Sequence, residues 1–280
     1  MTDFHSIPEN SPLGRATAYC STYAPELLFP IPRQQKRDEL RLSAEALPFL
    51  GEDLWNAYEI SWLNSRGKPV VAVGEFRVPA LSPCLIESKS LKLYLNSFNQ
   101  TRMADAGAVS ALIARDLSAA AGARVQVSIV PLDLKPQRSI AYLQGECVDA
   151  LDIEINTYSP RPDLLRADTG RVVEDELLYS HLLKSNCLVT GQPDWGTVAV
   201  RYSGAAIDRE ALLRYIVSFR EHNEFHEQCV ERIFTDILRQ CAPRELAVWA
   251  RYTRRGGLDI NPFRTNRADW QADLRFEVRQ

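Results

Sequence analysis

With 280 residues, 45% of them hydrophobic and 25% charged, the chain reads as a globular protein of about two domains, not as a disordered or fibrous one. A formal net charge of −3 gives no general attraction for nucleic acid, and no apolar run approaches the ~20 residues needed to cross a bilayer. Six cysteines, at 20, 84, 147, 187, 229 and 241, form no C-x-x-C pair, and the start carries no basic segment followed by an apolar run. Free thiols in a reducing compartment, the cytoplasm, are therefore expected.

Residues 1–50, with Pro25, Pro30 and Pro32, are expected to form an extended arm. Alternating Val71, Val73, Glu75 and Arg77 predict a strand, entered by a turn at Gly67-Lys68-Pro69. Helices are expected over 89–99 and 106–120, then an alternating strand near 124–130. Residues 151–178, with Pro160, Pro162 and Gly170, read as a connector. After it the order returns. A turn at Gly191-Gln192-Pro193 precedes a strand through Val198, Val200 and Tyr202, helices follow over 209–221 and 224–240, and a strand is predicted at 245–252. Leu212, Tyr215, Ile216 and Phe219 fall on one apolar helix face.

The return is more than a likeness of pattern. Shifted by 121 residues, Leu91, Tyr94, Ser97 and Phe98 fall on Leu212, Tyr215, Ser218 and Phe219, and Val109, Leu112, Ile113 and Leu117 on Val230, Ile233, Phe234 and Leu238. Val125 and Val127 fall on Leu246 and Val248, with no gap across about forty residues. The expected architecture is α+β, with antiparallel sheets bearing helices on one face. The repeats span 51–150 and 179–280, the first following the arm and the second following the connector.

Four stretches carry chemistry. Glu87-Ser88-Lys89-Ser90 stands at the mouth of a helix, where amide N–H groups, hydroxyls and a lysine can hold a phosphate; its plain alternative is a capping serine with flanking charges. Arg254-Arg255-Gly256-Gly257 is either an exposed turn or a second phosphate clamp. Neither a G-x-G-x-x-G after a strand nor a P-loop occurs. Cys187 lies seven residues ahead of Asp194, with Gly191-Gln192-Pro193 bending the chain between them. That spacing can set a nucleophilic thiol beside a carboxylate that moves its proton, with Pro193 and Trp195 as apolar walls; a small buried cysteine and a turn-forming aspartate are the alternative. His226 and Glu227 open a second helix, where the glutamate can accept hydrogen bonds from a guanine-like N–H edge and the histidine can relay a proton; a polar helix start with a dipole-favoured glutamate is the plain alternative. His222, His226 and Cys229 have a spacing that would suit zinc on a continuous helix, although a break is expected near 222–224.

Taken in order, the segments Pro12-Leu-Gly14, Tyr58-Glu-Ile-Ser-Trp-Leu-Asn64, Ile86-Glu-Ser-Lys-Ser90, Leu183-Lys-Ser-Asn-Cys187, Gln192-Pro-Asp-Trp-Gly196, Glu224 to Ile233 and Arg251 to Pro262 resemble the 7-cyano-7-deazaguanine reductases in their long two-repeat form. These are the nitrile reductases of queuosine biosynthesis, a tRNA modification. The resemblance implies a tunnelling fold (T-fold) of two tandem repeats, each of antiparallel strands with a helix pair, whose barrel is completed by oligomerisation, and hence a homodimer at least. It implies two NADPH-supplied hydrides that turn the substrate nitrile into an aminomethyl group. By the same likeness, Cys187 forms a thioimide and Asp194 donates the proton. Leu85, Ile86, Glu87, His226 and Glu227 bind the 7-deazaguanine nitrile; Ser88, Lys89, Arg255 and Gly256 contact NADPH; no metal takes part. Two other classes stay open on the residues alone: a zinc-dependent T-fold enzyme acting on a purine or pterin ring, and a dimeric binding module without catalysis.

Overall fold

The computed structural model describes residues 19–132, 139–271 and 275–280. Pro12-Leu13-Gly14 and the first part of the arm lie outside them. The elements in chain order are β1 (Pro30–Pro32), α1 (Gln34–Glu39), β2 (Leu50–Leu63), β3 (Pro69–Pro79), β4 (Cys84–Ile86), α2 (Ser88–Asn96), α3 (Ala106–Ala121) and β5 (Gln126–Pro131). There follow β6 (Glu146–Cys147), β7 (Ala167–Asn186), β8 (Pro193–Ile207), α4 (Arg209–Val217), α5 (His226–Cys241), β9 (Glu245–Tyr252) and β10 (Leu258–Thr265). The chain is α+β, and its strand pairing is almost wholly antiparallel. It divides into two compact units, one holding 19–39, 52–132 and 254–260, the other 40–51, 139–253 and the described residues from 261 on.

In the first unit β3 lies between β2 and β5, and the start of β10 follows β2 on its other side. The β2–β3 ladder runs from Glu52↔Pro79 to Leu63↔Pro69 and shifts register between Ala57 and Ile60. Helices α2 and α3 close one face. Their Leu91, Tyr94, Leu95, Val109, Ile113 and Leu117, at helical spacing, pack on Trp62 and Phe76 of the sheet. Glu87 caps α2 by accepting from the amides of Lys89 (2.7 Å) and Ser90 (2.8 Å), a contact type worth about 1 kcal/mol.

In the second unit the remainder of β10 is followed by β9, β8, β7 and β6. Only β6–β7 is parallel among the registers of this unit. Helices α4 and α5 repeat the earlier pair, and a 3-10 turn at Ser218–Glu221 finishes the first of them. The expected break before α5 is present.

The duplication is visible in single bonds. Tyr94 Oη donates to Asp116 Oδ2 at 2.7 Å and Tyr215 Oη to Asp236 Oδ2 at 2.6 Å. Tyr94–Phe98 and Tyr215–Phe219 meet edge to face at 5.4 and 5.3 Å, and Ser97 and Ser218 each donate back to the tyrosine carbonyl. The ungapped shift needs one correction. Helices α2 and α4 stand 121 residues apart, but α3 and α5 stand 120 apart. One residue is lost between the helices, so Leu117 corresponds to buried Ile237 and not to Leu238.

Three departures from the predicted elements concern strands and the arm. The segment read as a connector carries the first part of β7, which begins at Ala167. The strands β2 and β10 escaped the sequence pattern altogether. The arm, expected to be extended, holds β1 and the short α1.

Candidate active site

The β7–β8 hairpin builds the second unit's site. Ser185 pairs with Asp194 and Asn186 with Pro193. One step further on, the Cys187 amide donates to the Gln192 carbonyl at 2.8 Å and the Gly191 amide to the Cys187 carbonyl at 3.0 Å. If strand alternation continues one step past Asn186, Cys187 falls on the face of Asp194 as its diagonal neighbour, about 7–8 Å away. Both are buried. The same strand end is zipped to the approach of α5: the Asn186 amide donates to the His222 carbonyl at 2.8 Å, and the Glu224 amide to the Asn186 carbonyl at 3.1 Å. That ladder fixes where α5 begins, and α5 begins with His226 and Glu227.

His226 Nε2 lies 3.2 Å from Asp194 Oδ2. Its ring stacks on Tyr252 of β9, centroids 3.8 Å apart and planes 15° from parallel. Gly196 faces Tyr252 across the β8–β9 ladder, and a Cβ there would stand 3.2 Å from Tyr252 Cδ1. The missing side chain gives the stacked pair its room. Both imidazole nitrogens are buried and neither has a hydrogen-bond partner among the described residues, so the 3.2 Å approach to Asp194 is an ion-pair contact only. Glu227 is buried in the first turn of α5. Thiol, carboxylate, imidazole and a second carboxylate thus share one end of this unit. Tyr252 is the member that sequence reasoning missed, and a tyrosine inside an apolar strand gives no signal that would have found it.

Trp195, expected to wall Asp194, points the other way. It is 39% exposed and lies beneath Arg220 at 5.7 Å, as alternation on β8 requires when residues 194 and 196 face inward. The apolar walls are Tyr252 and the His226 ring. Burial disfavours the thiolate at Cys84, Cys147, Cys241 (pushed up to about 11) and Cys229 (about 12), so none of these four is a ready nucleophile.

The zinc reading of His222, His226 and Cys229 does not survive the geometry. His222 lies on the turn before α5, its Nε2 3.0 Å from Glu224 Oε2. Burial would raise Glu224, but hydrogen bonds from His222 and from Arg232 hold its carboxyl at about 2. Among the described residues these three do not gather as a metal-ligating group.

The first unit holds the other expected residues. Leu85 and Ile86 lie on β4, paired with Ile31 and Pro30 of β1, and Ile86 belongs to the core. Glu87 is fully buried and its carboxylate spans two α2 amides, so the cap is the glutamate and not a serine. Ser88 and Lys89, both half-buried, open α2. The Arg255 amide donates to the Leu258 carbonyl at 2.9 Å, closing a turn whose Gly256 and Gly257 have φ of +59° and +74°. A Cβ on Gly256 would stand 2.7 Å from Lys92 Nζ. Sequence reasoning missed Lys92, although it follows Lys89 by three on the same helix, the spacing at which side chains share a face. A glycine turn open to a lysine ammonium is a cradle that fits a phosphate-bearing cofactor.

Comparison with known proteins bears on both units. A family model described as the N-terminal part of the nitrile reductase 7-cyano-7-deazaguanine reductase matches residues 19–129, and one described as a QueF-like protein matches 193–270. The NADPH-dependent 7-cyano-7-deazaguanine reductase of Azoarcus sp. (strain BH72) is 68% identical over 272 residues, 97% of this chain and 96% of that one. The protein of the same name from Dechloromonas aromatica (strain RCB) is 65% identical over 271 residues, covering 96% and 95%. That from Ralstonia nicotianae (strain ATCC BAA-1114 / GMI1000) is 62% identical over 272, covering 96% and 98%.

Proposed function

This chain belongs to the family of NADPH-dependent 7-cyano-7-deazaguanine reductases, oxidoreductases of queuosine biosynthesis, and we propose that Cys187 is the sulfur through which it reduces the nitrile. The observation that carries the reading is the hairpin that sets Cys187 diagonal to Asp194, with His226 3.2 Å from that carboxylate.

A bare nitrile accepts hydride poorly because negative charge collects on nitrogen. Cys187 gives its proton to Asp194, its sulfur bonds to the nitrile carbon, and Asp194 passes the proton to the nitrogen, leaving a neutral thioimide. NADPH, when bound, would supply the two hydrides that take this carbon to the amine, and a second proton, taken up from solvent through Asp194, goes to the nitrogen. Between the two hydrides the C–S bond breaks, Cys187 leaves as thiolate, and the carbon becomes an imine. Tyr252 and the His226 ring keep water from that imine, which would otherwise hydrolyse to aldehyde. Glu227 accepts from guanine-like N–H groups, and Leu85, Ile86 and Glu87 are the substrate contacts that the first unit offers. Ser88, Lys89, Arg255 and Gly256, with Lys92, hold the cofactor phosphates.

We read the two units as tandem T-fold repeats whose barrel closes in a homodimer; the doubled Tyr–Asp bond and helix pair support it. Light scattering should give twice the chain mass. No helix among the described residues is long and apolar enough to cross a membrane, and all six cysteines are free, which suits work in the cytoplasm.

The test is replacement of Cys187 by Ala. With excess nitrile, intact-mass measurement should find the wild type shifted by one substrate mass and Cys187→Ala unshifted, with turnover lower by at least ~1,000-fold. An active Cys187→Ala enzyme would sink the mechanism.

A further inference from the structure

A second constellation lies in the same unit, with no part in the reaction above. Cys147 ends β6, Asp149 lies in the 3-10 turn that follows, and His181 is on the neighbouring strand β7. One ligand atom from each lies within 4.8 Å of the other two. From the placement and the donor set, we propose that these three side chains form a divalent-metal site that takes zinc.

The surroundings hold each donor as a ligand requires. Asp149 is oriented by two bonds, accepting from Ser180 Oγ at 2.5 Å and from the His181 amide at 2.9 Å, while each of its oxygens keeps a lone pair. His181 Nδ1 is 2.8 Å from Thr197 Oγ1, with Glu277 Oε2 behind at 3.9 Å. Glu277 is buried, and burial raises its carboxyl. In the tautomer whose Nδ1–H donates to Thr197 Oγ1, the Nε2 lone pair is left for a metal. Ligating histidines are commonly held this way, through the opposite ring nitrogen.

Around tetrahedral zinc, sulfur, nitrogen and oxygen donors stand about 3.3–3.8 Å apart. A group already within 4.8 Å closes with side-chain shifts of roughly an ångström. Thiolate, imidazole and carboxylate together select a borderline ion over magnesium or calcium, which take oxygen alone. All three residues are half-buried, so the fourth position opens to solvent and a water completes it. Binding displaces the Cys147 proton, so affinity rises with pH. The bound ion would pin the β6 turn to β7.

The experiment loads chelator-treated full-length protein with Co²⁺ and follows the sulfur-to-cobalt absorption in the near ultraviolet, then displaces it with Zn²⁺. One Co²⁺ per chain with this absorption is expected, retained in Cys187→Ala and absent from Cys147→Ser. Zinc affinity should fall at least ~100-fold in Cys147→Ser and about 10–100-fold in Thr197→Val, which touches only the imidazole's support. Circular dichroism checks folding, and Asp149→Asn, which keeps the shape of the side chain, should also lose at least ~10-fold. No sulfur-to-cobalt absorption in the wild type, or absorption and affinity that survive Cys147→Ser, would overturn the site.

Discussion

Tyr252 offers two things at once, a ring face under His226 and a hydroxyl beside the Cys229 thiol. They separate by substitution. Tyr252→Phe keeps the stack, and kcat should stay within about tenfold of the wild type. Tyr252→Leu removes it, frees the imidazole to swing from Asp194, and should cost about 100-fold in kcat, because small misplacements of a reacting group are that costly. KM should change little in either variant. Equal losses in both would assign the effect to the hydroxyl instead. Glu224 gives a pH signature at the same scale. Its folded carboxyl titrates at about 2 against an ordinary 4.5, so its stabilisation is full above the unfolded value and drains as the pH falls from 4.5 toward 2. From about pH 7 to about pH 3 the loss is roughly 2 kcal/mol. Urea unfolding of Glu224→Gln should lack that part of the wild-type decline; parallel declines would remove the carboxyl from the account.

What could be read at the scale of the element followed from how each element is buried. Helices α2 to α5 were legible because their apolar residues recur at helical spacing, even in α5, where only Arg239 and Gln240 are exposed. β3 alternates for the matching reason, whereas β8 alternates in residue type although Gly196 to Val200 are all buried. β2 and β10 do not. Every residue of β10 is buried, including Asp259, Asn261, Arg264 and Thr265, and Pro262 speaks against a strand. These polar groups are tolerated because they are paired: Asn56 Nδ2 donates to Asp259 Oδ1 at 2.6 Å, and Arg264 reaches Glu231 Oε1 at 2.9 Å. Such partners lie far off in sequence, so no local pattern announces them. At the site, Cys187, Asp194, His226 and Glu227 were legible from motif order, whereas the walls were not, since the side of β8 on which Trp195 falls follows from register alone. The Arg264–Glu231 pair makes the point measurable. Glu231→Leu should take the carboxylate from the buried guanidinium and destabilise the protein by about 3–5 kcal/mol, while the double variant Glu231→Leu/Arg264→Met should recover much of it. A double variant no more stable than the single one would contradict the pairing.

At the scale of the whole molecule, the duplication raises the question of how many reaction centres a chain carries. The units share helix pairs, tyrosine–aspartate bonds and hairpins, but not chemistry. The hairpin of the first unit turns through Asn64-Ser65-Arg66-Gly67-Lys68, without a cysteine. Where α5 opens with His226-Glu227, α3 opens with Ala106-Gly107, capped by Asp105. Conversely, the Glu87-Ser88-Lys89 start of α2 has Asp208-Arg209-Glu210 as its counterpart on α4, which keeps the acidic cap and moves the base. If Cys187 acts as proposed, one copy carries the thiol and its proton carriers and the other a lysine-bearing helix mouth, and the expected outcome is a single covalent centre per chain with a fixed stoichiometry. Titrated with a tenfold excess of nitrile and no NADPH, the chain should saturate at one added substrate mass. Each adduct, once NADPH is supplied, should oxidise two equivalents per amine released. A second adduct on the same chain would mean that a cysteine outside the β7–β8 hairpin also reacts, and an oxidation ratio near one would mean that the imine escapes before its second hydride.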